Sequence, residues 1–155
     1  MLMDTKLGLL LKRTSTLTKE RVAWQSAFDG KLKNKIIEEW IQNDQLFEKG
    51  IDEDGDIIGL YSEWTEMINP EKVAGTPYTL KDTGAFYKSM FIIVLVDSFI
   101  IDGDGKKIDE FGKVTDLFKW LGEGIVGLTS ENREKLKMEI TEKFIKYVKE
   151  ILQID

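Results

Sequence analysis

The sequence predicts an α+β fold, a small antiparallel sheet with a long N-terminal helix and a long C-terminal helix packed on it. Three observations predict it. Between Val22 and Leu46, Phe28, Leu32, Ile36 and Trp40 fall four apart, and Ile37 and Ile41 widen the stripe. Met90-Phe91-Ile92-Ile93-Val94-Leu95-Val96 is apolar at both alternating sets of positions, the pattern of a strand covered on both faces. Near the end, Leu136, Ile140, Phe144, Tyr147, Val148 and Ile151 form one further helical stripe. Helix, strands and helix in that order make an α+β domain.

The elements follow in order along the chain. Residues 1–19 hold a short apolar patch, Leu7 and Leu9 to Leu11, then Lys12-Arg13 and a run of Thr and Ser. They fit a frayed terminus and an arm that orders against a neighbour equally well, so the division is an arm over 1–19 and a single domain over 20–155. Gly50 ends the first helix. Asp52-Glu53-Asp54-Gly55-Asp56 is a turn between Gly50-Ile51 and Ile57-Ile58, the outline of a hairpin. Residues 62–79, around Pro70 and Pro77, read as an irregular connection. Phe99-Ile100-Ile101 and Lys106-Lys107-Ile108, around Asp102-Gly103-Asp104-Gly105, form a second hairpin candidate. Val114, Leu117, Phe118 and Leu121 share the face of a short helix, punctuated by Gly122, Gly124 and Gly127. Thr129 or Ser130 caps the last helix, with Glu131 suited to its first turn.

Composition narrows the chemistry. At 155 residues the chain has the size of one domain, and 42% apolar with 32% charged residues is ordinary for a globular protein. Twenty-two bases against 28 acids give a charge of −6, which argues against binding driven by the nucleic-acid backbone. Histidine and cysteine are absent. That removes Ser-His-Asp and Cys-His nucleophiles, thiolate redox chemistry and zinc sites built from Cys and His. Neither a signal peptide nor a membrane span is legible, because Asp4 and Lys6 break the first apolar stretch and Met90 to Val96 is too short.

Two motifs imitate ligand sites. Asp52, Asp54, Asp56 and Glu63 suggest a calcium loop, but Ile57 stands where that loop needs glycine, and an acidic solvated turn is the better account. Gly122-Glu123-Gly124-Ile125-Val126-Gly127 matches a dinucleotide fingerprint without the preceding strand that gives it meaning. From Asp44 to Glu66 there are eight acids and one base, Lys49, which makes a solvated loop or a surface that repels DNA or meets a basic partner. No cofactor is implied, and no pair of carboxylates is singled out for catalysis.

One segment carries a resemblance. Thr83-Gly84, the apolar Phe86, then Ser89 and Met90 leading into an apolar strand resemble the signature of phage virion-morphogenesis proteins, the tail-completion and neck proteins of long-tailed phages. Ile125-Val126-Gly127-Leu128-Thr129-Ser130-Glu131 is similar to that family's second motif, and Glu110-Phe111-Gly112 lies between. With Asp44 to Phe47, Gly50 to Asp52, Tyr61-Ser62 and Gly75 to Leu80, the pattern resembles small structural proteins of Bacteroides-type phages over about residues 42–150. A longer insertion before Asp82-Thr83-Gly84 departs from the Mu-like members. The resemblance implies a virion structural protein rather than an enzyme, at the neck or upper tail, assembling as a ring with other neck, portal or tail proteins. It implies location in the virion, and in the host cytoplasm during assembly. A small protein-binding module or assembly chaperone is the alternative.

The residues of the motif have a physical reading of their own. Asp82 is expected to bond its own backbone in an Asx-turn, and Gly84 to take positive φ, launching the chain into the strand. Asp82, Thr83, Gly84, Phe86 and Ser89 are therefore expected to build the fold. Asp52, Asp54 and Asp56 are the candidates for an interface or the lumen of a channel.

Overall fold

A computed structural model describes residues 25–95, 98–109 and 111–154. It is an α+β structure with helices and two small antiparallel sheets. The arm over residues 1–19 and the start of the first helix at Val22 lie outside the described residues.

Helix α1 (Gly30–Asn34) starts where the Asp29 carboxylate accepts the Leu32 amide at 2.7 Å. It runs straight into a π-helix (Lys35–Lys49), closed by Gly50 in left-handed conformation with its amide bonded to the Gln45 carbonyl. A strict four-residue interval drifts about 40° per step around an α-helix, whereas alternating intervals of four and five suit the wider i→i+5 turn. Ile36, Trp40, Ile41, Gln45 and Leu46 are buried here, at intervals of four and five.

Helix α2 (Glu63–Ile68) lies inside the segment expected to be irregular; Ser62 caps it by accepting the Thr65 amide at 3.2 Å. Helix α3 (Ala85–Ser89) separates the Asp82–Gly84 turn from the strand it was expected to launch directly. Strand β1 (Phe91–Val94) then pairs with β2 (Phe99–Asp102), antiparallel, with Ile92 opposite Ile101 and Ile93 opposite Ile100.

The hairpin expected from Phe99 to Ile108 does not form. Strand β2 pairs back with β1, while β3 (Lys106–Ile108) pairs forward with β4 (Val114–Asp116). Two two-stranded sheets thus replace the single sheet, because Asp104 turns the chain between them: its carboxylate accepts the Lys106 amide at 3.0 Å, and its own amide is held by Ser89. The helix expected from Val114 is a strand as far as Asp116, whose carboxylate then caps α4 (Leu117–Leu121). A 3₁₀ turn (Glu123–Val126) leads to α5 (Ser130–Leu152), capped by Thr129.

The core is Phe28, Leu32, Ile36, Ile41 and Leu46 packed on Phe86, Met90, Ile92, Leu117, Ile125 and Leu136. Lys143 pairs with Asp29 at 2.6 Å and Lys35 with Glu139, pinning α5 alongside the first helix. The α5 stripe is closed only near its start. Leu136 is buried and Ile140 packs on the core, whereas Phe144 stands exposed.

Candidate functional site

The Asp82–Ser89 segment is a junction rather than a chemical centre. Gly84 has φ +79° with open space where a Cβ would sit, so its requirement is conformational alone. The expected Asx-turn gives way to a longer reach. The Asp82 carboxylate pairs with Lys107 of β3 and with Lys72 at 3.4 Å, and the Thr83 hydroxyl accepts the Ala85 amide at 3.3 Å. Two lysines can outcompete a local bond because charge-assisted contacts are the stronger. The Lys107 hydrogen bond, opposed by partial desolvation, holds the Asp82 carboxyl below its ordinary range.

The other motif residues face inward. Phe86 is buried with its ring edge-on to Phe118, centroids 6.0 Å apart. Ser89 donates to the Phe86 carbonyl at 2.6 Å and accepts the Asp104 amide at 2.8 Å, tying α3 to the loop before β3. Tyr87 donates its hydroxyl to the Thr79 carbonyl, and burial pushes its pKa up. Gln42 reaches across from the π-helix to the Tyr87 carbonyl at 2.8 Å.

The acidic turn is occupied by its own backbone. The Asp52 carboxylate accepts the amides of Asp54 and Asp56, both at 3.0 Å, and the Asp52 amide donates to the Asp56 carbonyl at 3.0 Å. Ile51 and Ile57 bridge beneath it. Asp54 and Asp56 remain exposed, and among the described residues no three carboxylates converge as a cation site would need.

In the glycine-rich segment Gly122 takes positive φ, and Gly124 and Gly127 lie against Glu53. The Glu53 amide donates to the Gly124 carbonyl at 3.0 Å, and its side chain lies over Gly124 and Gly127. A Cβ on Gly127 would overlap that side chain, so close approach, and not a phosphate, explains the glycine. Between this contact and β2 lies an open cleft of about 500 Å³, bordered by Glu53, Ile101, Asp102, Glu123 and Arg133.

Sequence reasoning missed a buried polar knot. Gln45 and Asn132 are fully enclosed. The Gln45 amide group donates to the Gly127 carbonyl at 2.8 Å, and its oxygen accepts the Thr129 amide at 3.1 Å and the Asn132 side chain at 2.7 Å. Gln45 lies between Trp40-Ile41 and Leu46 on the buried face, which is the signal that could have found it.

Among the described residues apolar surface stays open on the β1–β2 hairpin, on α2, and at Ile108, Phe111 and Val114 of the β3–β4 hairpin. On the β1–β2 hairpin, Ile92, Val94, Phe99 and Ile101 face the core. Phe91, Ile93, Leu95 and Ile100 face outward, 43–47% exposed. The strand expected to be covered on both faces is covered on one. On α2, Trp64, Met67 and Ile68 are 69%, 76% and 72% exposed, at i, i+3 and i+4. Exposed apolar surface of this kind marks contacts with other molecules. No helix among the described residues is long and apolar enough to cross a membrane. No family model, no curated protein and no solved structure matches this chain.

Proposed function

We propose that this chain is a structural protein of a bacteriophage virion, placed at the neck or upper tail for head–tail joining or tail completion, and that its copies assemble as a ring. The observation that carries the self-assembly is the open outer face of the β1–β2 hairpin. Its sequence is that of a strand covered on both sides, and the single chain supplies one cover. A second copy would supply the other. Copies joined through two different surfaces form a ring when the rotation closes.

The placement in a virion rests on the resemblance over residues 42–150. The motif that carries it supports a fabric role, since Thr83, Gly84, Phe86 and Ser89 are engaged in turning, packing and bonding. Asp54 and Asp56 stand exposed on an acidic stretch, suited to line a lumen past which DNA slides without sticking. In this reading residues 20–155 act as one unit behind an arm over residues 1–19. Its partners are its own copies and other neck, portal or tail proteins, with no cofactor and no catalytic residue. It would be found in the virion, and in the host cytoplasm during assembly.

The α2 ridge favours a second reading, a small protein-binding module or assembly chaperone. Electron microscopy of the purified protein and mass spectrometry of particles separate the two. Rings and presence in the particle are expected. A strict monomer absent from particles, with tails intact after gene deletion, would sink the virion reading.

A further inference from the structure

We propose that the segment Leu7–Arg13 of a second copy covers the α2 ridge of Trp64, Met67 and Ile68. This deepens, and rests on, the reading of the chain as self-assembling; it does not depend on the place of the assembly in a virion. The ridge is the most exposed group of large apolar side chains on one face of a single element. Glu63 and Glu71 are exposed beside it in sequence, whereas Glu66 is engaged with the Ala74 amide at 2.8 Å. An occupant therefore needs a short apolar stretch joined to positive charge.

The chain contains one such segment. Leu7, Leu9, Leu10 and Leu11 are followed directly by Lys12-Arg13. Residues 1–24 hold five bases and two acids, and the remaining residues hold seventeen bases and 26 acids, so the charge of the chain is segregated with the sign that brings the two together. Reach is sufficient. Gln25 lies fourteen positions after Leu11, a contour length of at most about 46–50 Å, against a diameter of roughly 40 Å for a domain this size. A contour length of that order is enough to reach a neighbouring copy.

The absence of cysteine makes the test clean. Two forms, Leu10→Cys and Met67→Cys, are co-expressed with different tags, purified and oxidised. Met67 is exposed, and folding of both forms is checked by circular dichroism. The expected result is a disulfide-linked pair carrying both tags, with its yield falling severalfold when Lys12→Glu and Arg13→Glu are added. Three results would overturn the proposal: no mixed pair in protein that light scattering shows to be assembled, a link only within one chain when both cysteines are placed on it, or a yield indifferent to the charge reversal. Assembly without the link would leave the ring standing and remove this contact from it. Absence of the chain from particles would defeat the virion reading alone.

Discussion

At the junction of the π-helix with the start of α5, Ile36, Ile41, Leu46 and Ile125 are sealed from solvent and Gln45 satisfies three partners. On the outer face of the β1–β2 hairpin, Phe91, Ile93 and Ile100 are equally apolar and stand almost half exposed. The two regions differ in where their partners come from. The junction draws them from the chain itself, across more than 80 residues, as the Gln45–Asn132 bond shows. The hairpin face finds none among the described residues, because a two-stranded sheet has one core to lie on and nothing behind it. Stability and association should therefore separate between the two regions under mutation.

The largest effect is expected at the junction. Gln45→Met should cost about 3 kcal/mol, since it strands the Gly127 carbonyl, the Thr129 amide and the Asn132 side chain without partners. Urea unfolding measures it, and a loss below about 1 kcal/mol would show that the knot is not sealed. Leu136→Ala should fall in the same range, about 2–4 kcal/mol, as a buried side chain lost from a packed site. Next comes Gly84→Val, at about 2 kcal/mol for a β-branched residue forced to positive φ. Gly84→Asn should recover much of that loss, because asparagine tolerates the conformation and the space is open.

The Asp82 pairing is a smaller matter, under about 1 kcal/mol at neutral pH for a partly exposed ion pair. Its sign is nevertheless testable. The folded-state pKa lies below the ordinary 3.8, so the contribution is present above that value and lost as pH falls through the folded one. Melting temperature should drop as pH falls below about 4, and Asp82→Asn should make that part of the profile shallower. An unchanged profile would mean that Lys72 and Lys107 add nothing there.

The two regions also differ in how well the sequence could reveal them. Local signals survived. The Thr129 cap, the positive φ of Gly84 and the acidic turn at Asp52 depend on residues within a few positions of one another. Pairings that depend on competition between distant segments did not survive. Lys106-Lys107-Ile108 was open to Phe99-Ile100-Ile101 or to Val114-Thr115-Asp116, and no local rule ranks the two. The reach of Asp82 to Lys107 and the Gln45 knot share that long-range character. The stripe of Phe28, Leu32, Ile36 and Trp40 marked a helix without revealing its wider turn, since an interval of four drifts by a similar angle around either kind of helix and Phe28 and Leu32 precede Lys35.

The central claim is that the outer hairpin face is an interface between copies, and one paired measurement tests it most directly. Light scattering during size exclusion, on the native chain and on Ile93→Asp with Ile100→Asp, should give a closed oligomer for the first and a monomer for the second, with the unfolding free energy of the separated chain changed by no more than about 0.5 kcal/mol. A native chain that stays monomeric at high concentration, or a doubly substituted one that still assembles, would contradict it.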